Sequence, residues 1–292
     1  MKKIRKKVAF LGGSLPIILF ANFYSKLNKT DKVLILDKSK EIGGAWQKFN
    51  YKNIKISRHS NIIIPENKID ENKQTKINKF LKFNFNTKIK KLKAEVNTKY
   101  VVKNNYHYNF DKLISEIKRK KMIKKININE IKILKNKKVI INNKFNFDRI
   151  FLPTFFGLEK IIYLNKHLNI DYTPITSEHI VAITKNNIFK DLYYSDSFNH
   201  FFDRVAYQKF KNFNSFTARI VKKYKGSRNK TIEAELEKIF GKKKVIKYFK
   251  FKYKNYYRNE QQIDNLKKLN YIKSISLVNT KSFFLYLFPE KK

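Results

Sequence analysis

The sequence predicts an α/β fold organised around a parallel sheet. Apolar runs of strand length flank an apolar helical segment within the first 37 residues. Four of only seven glycines stand in two pairs, Gly12-Gly13 and Gly43-Gly44, each placed soon after one of those runs. A glycine-poor chain that clusters its glycines this way needs close backbone approach, or φ > 0, at those points.

Val8-Ala9-Phe10-Leu11 has the length and apolarity of a buried parallel strand. Gly12-Gly13-Ser14 supplies a tight turn, and Ser14 is positioned to cap a helix beginning at Leu15-Pro16, where proline loses no needed hydrogen bond. Ile17 to Leu27 is apolar nearly all round, as in a helix packed into an α/β core. Val33 to Leu36 reads as the next strand and ends on Asp37. Strand, glycine turn, helix and acid-ended strand make a Rossmann-like dinucleotide site. There the helix N-terminus faces a pyrophosphate, and the acid accepts hydrogen bonds from the adenosine ribose. Against the G-x-G-x-x-G fingerprint, Ser14 stands at the second glycine and Ile17 at the third. Serine narrows the approach of the pyrophosphate, and Ile17 crowds the helix–strand contact. Lys2 to Lys7 followed by Val8 to Phe23 also has the layout of a signal peptide, with Ala21 near a cleavage point. The glycine pair and proline inside the apolar run, and the pattern continuing to Asp37 and Gly44, argue against that reading.

The string Asp37-Lys38-Ser39-Lys40-Glu41-Ile42-Gly43-Gly44-Ala45-Trp46 adds a second motif. It resembles the segment after the second strand in flavoproteins of the amine oxidase, protoporphyrinogen oxidase and UDP-galactopyranose mutase superfamily. In that superfamily an acid ends the strand, and a hydrophobic residue with Gly-Gly begins a loop along the FAD pyrophosphate. The resemblance implies FAD as cofactor. It places Asp37 at the adenosine ribose, Gly12 and Ser14 at the pyrophosphate, and Gly44, Ala45 and Trp46 on the cofactor's inner face. Gly13, Leu15, Lys38 and Gly43 complete the implied contacts.

Farther along, the polar stretch 65–79 reads as a loop. Phe110, Leu113, Ile114 and Ile117 fall at i, i+3, i+4 and i+7 and predict a helix over 110–121. Three β-rich runs follow, Ile126 to Leu134, Val139 to Ile141 and Phe147 to Leu152. A simple β-meander gives this order, and so does the superfamily, where the last strand opens with an acid, here Asp148. The resemblance puts Ile131 at a backbone contact to adenine. From Phe155 to Tyr257 the chain is aromatic-rich and mixed. Thr231 to Phe240 reads as a helix capped by Thr231 and ended by Gly241. Phe201 to Phe210 resembles the Arg-Val segment lining the substrate cleft of the mutases, with Tyr207 where that family has an acid. Arg204 or Arg219 are thereby candidates to hold an anionic substrate, an ordinary ion pair being the alternative. His59 is a candidate by its place after the glycine loop. The sequence assigns no catalytic side chain. Superfamily members return near the C-terminus with a glycine-bearing segment, whereas no glycine follows Gly241 here. Residues 263–287 read as a helix and then a strand at 272–278.

With 292 residues and 42% hydrophobic content, the chain suits one large or two moderate domains. The expected division is a Rossmann-like FAD/NAD(P)-binding domain over 1–155 plus 260–292, and a mixed α+β substrate domain over 156–259. The absence of cysteine excludes disulfides, thiolate zinc sites and cysteine nucleophiles. Five scattered histidines show no metal-ligand spacing. No later apolar run reaches the ~18 residues of a membrane helix. A cytoplasmic protein without metal is the simplest expectation. The net charge of +43 suggests polyanions, yet only eight of the 66 basic residues are arginine. Base-specific readers lean on arginine's bidentate fork. Dispersed lysine implies only weak, salt-sensitive, non-specific polyanion binding. The expected function is therefore a FAD-dependent oxidoreductase or flavin-using isomerase acting on a small polar or sugar-nucleotide substrate. The alternative is a non-catalytic nucleotide- or polyanion-binding descendant of the same fold.

Overall fold

A computed structural model of the chain describes residues 5–39, 41–58, 71–91, 93–95, 106–153, 156–158, 160–168, 172–185, 193–221, 228–257, 259, 262, 264, 267, 269 and 272–278. The first elements are β1 (Lys7–Leu11), α1 (Leu15–Leu27), β2 (Lys32–Asp37) and a single 3-10 turn at Gly44–Trp46. A hairpin follows, β3 (Lys48–Tyr51) and β4 (Ile54–Ser57), then α2 (Glu71–Phe85), β5 (Lys88–Lys91), β6 (Lys93–Glu95) and β7 (Tyr106–Asn109). Next come α3 (Asp111–Arg119), β8 (Ile123–Lys125), β9 (Glu130–Ile133), β10 (Val139–Ile141), β11 (Phe145–Phe147) and β12 (Arg149–Pro153). The remainder is β13 (Lys160–Tyr163), β14 (Lys166–Leu168), β15 (Thr173–Thr184), β16 (Tyr193–Ser197) and β17 (Phe202–Lys209). It closes with β18 (Asn214–Ile220), α4 (Arg228–Phe240), β19 (Val245–Tyr257) and β20 (Ile275–Val278).

The fold is α/β, and its parallel sheet runs β20-β12-β1-β2-β8. Every pairing in that sheet is parallel. Alternation along β1 explains the layers on either side. Val8 and Phe10 face the helices α1, α2 and α3, whereas Ala9 and Leu11 face a second sheet, β11-β10-β9-β13-β14. A strand buried on both faces must be apolar throughout, which is why β1 reads as an unbroken hydrophobic run. The first two strands and the first helix thus match their sequence expectations within a residue. The expected run Phe147 to Leu152 is divided at Asp148, which stands between β11 and β12, immediately before Arg149, and ties that point to β1 by accepting a hydrogen bond from Lys7 N at 2.7 Å. The C-terminal strand, β20, returns to pair with β12.

Two expectations change. From Glu71 onward the polar stretch 65–79 belongs to a helix; residues 65–70 lie outside the described residues. Ile77, Leu81 and Phe85, four residues apart, bury one stripe of α2 in the helix-side core. Polarity alone does not separate a loop from a helix with one narrow apolar stripe. Helix α4 starts at Arg228, ahead of the expected cap Thr231, and packs Ile232, Leu236 and Phe240 on the sheet beneath it. Gly241 ends it with φ +88°.

That sheet has six strands, β19-β15-β18-β17-β16-β6. Helix α4 covers one face. The β3–β4 hairpin covers the other, where Ile56 is buried with Val181, Ile183 and Phe213. Strand β6 and the hairpin thus join this sheet from the first part of the chain, while β13 pairs in parallel with β9 of the meander sheet.

Gly157 lies between β12 and β13, and a Cβ there would overlap the ring of Tyr256, which stands edge-on to Tyr172 at 5.0 Å. Gly157→Ala is expected to lower stability by about 1–3 kcal/mol through overpacking. Most of that loss should disappear in a Tyr256→Ala background. A thermal-denaturation double-mutant cycle checks this, and simple additivity would refute the contact.

Candidate functional site

From β1 the chain runs outward through β2 to β8, then crosses back to β12 and outward to β20, so the topological switch point lies between the carboxyl ends of β1 and β12. Open α/β sheets bind ligands there. Gly12 N donates to Leu36 O at 2.7 Å, and Gly13 N to Asp37 Oδ2 at 2.6 Å. Asp37 Oδ1 accepts from Ser39 N at 2.7 Å. Both carboxylate oxygens therefore hold the first turn and the start of the next loop in place.

The two glycine pairs touch. Gly43 N donates to Gly13 O at 2.6 Å. A Cβ on Gly13 would lie 2.9 Å from Ile42 Cγ2 and 3.2 Å from Ile42 Cα, so glycine is what lets the second loop rest on the first. Gly44 differs. Its φ is +53°, and among the described residues the one heavy atom near a Cβ built there is Ser14 Cα at 3.8 Å. Open space thus lies beside Gly44 and the N-terminus of α1.

Ser14 occupies the N-cap position in extended conformation, but its side chain makes no capping hydrogen bond. The helical ladder begins with Ile18 N donating to Ser14 O at 3.0 Å. First-turn amides lack intrahelical acceptors, and the helix dipole adds partial positive charge at this end. Ser14, the N-terminus of α1 and Gly44 thus border the same open space.

The other expected cofactor residues divide. Leu15 is buried at the start of α1, and Lys38 is exposed beside Asp37. Ala45 contributes backbone to the 3-10 turn. Trp46 packs edge-on against Phe110 at 5.4 Å, so its indole belongs to the helix-side core. Ile131 is fully buried, paired with Ile141 on one side and Ile161 on the other, in the core cluster that includes Leu11 and Leu36. Its backbone is part of the meander ladder.

Of the substrate candidates, His59 lies outside the described residues. Arg204 is exposed, with φ +47°, where the β17–β18 register shifts. Arg219 forms the alternative ion pair: its Nε donates to Asp203 Oδ1 at 2.7 Å, and its Nη2 pairs with Asp203 Oδ2. The expected acid position, Tyr207, is fully buried on the α4 side of the sheet.

Sequence reasoning missed a polar cluster on the hairpin side. Val181 and Ile183 of β15 and Phe249 and Phe251 of β19 pack under the hairpin. Period-two alternation puts Ser177, His179 and Tyr253 on the same face. His179 is buried, with its ring edge-on to Tyr253 at 5.0 Å and Nε2 3.3 Å from Ser177 Oγ. Arg58 follows β4 and places Cζ 5.0 Å from the centre of the Phe251 ring. Its Nη1 donates to Gln47 Oε1 at 2.9 Å, and its Nη2 stands 3.8 Å from Glu41 Oε2. Burial raises the Tyr253 hydroxyl to about 12, the positive charge of Arg58 acting the other way. Arg58 Nε and the Tyr253 hydroxyl are buried with no hydrogen-bond partner among the described residues. Such a buried unsatisfied group costs about 1–3 kcal/mol, and more when charged. The legible signal was the alternation of Tyr253 with Phe249 and Phe251; the approach of Arg58 depends on how the hairpin docks.

Among the described residues, no group of three His, Cys, Asp or Glu side chains is placed to hold a metal. No described helix is long and apolar enough to cross a membrane.

No protein-family profile and no curated protein matches the chain. Solved structures do match. Reduced UDP-galactopyranose mutase superposes with a TM-score of 0.62 at 8% identity, covering 94% of this chain and 88% of that one. The fold is that of the FAD-dependent, amine-oxidase-like flavoproteins. A triple mutant of putrescine oxidase with redesigned cofactor binding gives 0.60 at 8% identity, covering 94% and 92%. The CLA-producing fatty acid isomerase from P. acnes gives 0.60 at 10%, covering 96% of each chain. These neighbours are enzymes that act on small molecules, and both glycine loops named in the sequence lie at the sheet's switch point.

Proposed function

We propose that this chain is a flavoprotein enzyme, an FAD-dependent oxidoreductase or flavin-using isomerase acting on a small polar substrate. One observation carries the reading: the two glycine loops meet at the carboxyl end of β1, held by Asp37, and leave open space beside Gly44 among the described residues. The residues present fit a dinucleotide cofactor. The N-terminus of α1 and the Ser14 hydroxyl would receive the pyrophosphate, and Asp37, with lone pairs beyond its two amide bonds, the adenosine ribose. Gly44 would admit the cofactor where a side chain would collide with it. When bound, FAD supplies the hydride or electron transfer, and the protein supplies position and electrostatics.

On this reading residues 1–155 with 260–292 carry the cofactor, and 156–259 carry the substrate. The β3–β4 hairpin and β6 reach across from the first part, and β13 with β14 from the second. The hairpin begins two residues after the glycine turn, so the cofactor loop and the hairpin-covered sheet face are directly coupled. Arg204, which is exposed, and His59, outside the described residues, remain candidates at the substrate cleft, while Arg219 pairs with Asp203 on the sheet. The lack of glycine after Gly241 favours a second reading, a non-catalytic nucleotide-binding descendant.

Purified protein is expected to show flavin absorption, or to gain thermal stability in FAD, because a ligand bound only to the native state raises its stability. At 100 times its Kd the gain is about 2.7 kcal/mol. A spectrum without flavin, together with an unchanged melting temperature in saturating FAD, would refute the proposal. Binding without turnover of any flavin substrate would favour the second reading.

A further inference from the structure

The second glycine loop rests on the first from one side and on helix α3 from the other. The start of α3 meets it at three points. Where the loop begins, a Cβ built on Gly43 would lie 3.6 Å from Ile114 Cδ1. In its middle, the Trp46 indole stands edge-on to Phe110, at the N-cap position of α3. At its exit, Lys48 Nζ donates to Asp111 Oδ2 at 2.7 Å. Phe110, Asp111 and Ile114 span little more than one helical turn, so a single short stretch of α3 seats the loop.

Asp111 is well fixed. Its backbone N donates to Asn109 Oδ1 at 2.9 Å, and its charge suits the positive end of the helix. Behind it, Leu113 and Ile117 are fully buried in the helix-side core. The Lys48 side chain is only 15% exposed, against 37% for Asp111, so water and salt screen this pair less than an open surface pair. Gln47 closes the loop on itself, its Nε2 donating to Glu41 O at 2.9 Å. With the loop closed in this way, Trp46 and Lys48 decide how it sits on α3. Lys48 also opens β3, so the same pair sets where the hairpin leaves the loop to cover its sheet.

We propose that Lys48 and Asp111 are positioning residues for the cofactor: their ion pair seats the second glycine loop on α3 and so keeps Gly44 beside the N-terminus of α1. A loop out of its seat lowers the fraction of chains ready to bind, and apparent affinity falls by that fraction. The cofactor role rests on the flavoprotein reading, whereas the seating of the loop does not.

Trp46 is the only tryptophan of the chain and is half-buried, so its fluorescence reports the seat directly. The purified parent chain is compared with Lys48→Met, Lys48→Arg, Asp111→Asn and the Lys48→Met/Asp111→Asn double variant, before and after FAD is added. Methionine keeps most of the apolar stem and removes the charge. In Lys48→Met, Trp46 emission is expected to shift to the red and its quenching by acrylamide to rise, with circular dichroism unchanged. FAD affinity should fall by about tenfold, as for loss of one charge-assisted hydrogen bond. Arginine offers the carboxylate another charged donor, so Lys48→Arg should restore both readouts. The double variant should bind FAD no worse than either single one, because both changes remove the same contact. Parent-like Trp46 emission and quenching in Lys48→Met, no rescue by Lys48→Arg, or additive losses in the double variant would each overturn the proposal. The measurements before FAD is added separate it from the flavoprotein reading. If the parent binds no FAD, that reading and the cofactor role of the pair fall together, while a red shift in Lys48→Met upholds the seat. If the parent binds FAD and Lys48→Met binds it equally, the reading stands and the positioning role falls.

Discussion

Gly44→Val is expected to weaken FAD binding by about 100-fold or more, the equivalent of roughly 3 kcal/mol of overpacking in the binding cradle. Among the described residues a Cβ at Gly44 meets only Ser14 Cα, at 3.8 Å, so they leave room for it. The same volume is what the pyrophosphate would occupy beside the N-terminus of α1. Valine also strains φ +53°, a backbone conformation β-branched residues avoid. Gly44→Asn therefore belongs in the same experiment, because asparagine tolerates that conformation and still fills the space. Both variants should fold and both should lose flavin affinity, measured by fluorescence titration beside circular dichroism. Gly241→Ala is the contrast. It ends α4 at φ +88° far from the glycine loops, so it should lower stability by about 1 kcal/mol and leave FAD affinity alone. If Gly44→Val and Gly44→Asn bind FAD like the parent, the second glycine pair is only a turn.

The largest stability effect is expected from Phe10→Ala, a loss of about 3–5 kcal/mol. Phe10 is fully buried at the centre of the parallel sheet. Its ring stacks on Phe151 at 4.3 Å and 5°, with Phe20 at 6.1 Å and Tyr24 edge-on at 5.9 Å. Neighbours come from a strand on one side and a helix above, so the cavity has little freedom to collapse. The melting temperature should fall by about 10 °C. Phe83→Ala is the internal control. Phe83 is 90% exposed on α2, and its removal should shift stability by less than about 0.5 kcal/mol. Chemical denaturation of both variants checks the ordering, and equal losses would show that the layer around Phe10 is not the core described.

Much of the cofactor side was readable in advance because its signals are local. β1, α1 and β2 each follow from a short run of residues whose period and flanking glycines leave few alternatives. The β-rich runs around Asp148 were legible from the same kind of local evidence, and β10 matches its run residue for residue. Helix α2 was not readable, because its buried stripe of Ile77, Leu81 and Phe85 is thin among lysines and asparagines. The packing of Trp46 on Phe110 was not readable either, because Phe110 stands 64 positions away and no local pattern encodes its approach. Arg58, His179 and Tyr253 were missed for the same reason. Their meeting requires the hairpin to dock on a sheet assembled from the other half of the chain.

The sequence by itself determined the elements at the start of the chain and the placement of the two glycine loops. Backbone conformation there is dictated by the residues present: glycine where a Cβ cannot stand, proline in a first helical turn, an acid at a strand end. Only the tertiary structure decided that the loops rest on each other, with Gly43 N on Gly13 O and Ile42 filling the gap that Gly13 leaves. It alone decided that Arg219 is held by Asp203 and that two buried donors share one face under the hairpin. Local preference acts over a few residues, whereas these contacts arise from burying apolar faces that lie tens to hundreds of residues apart in the chain.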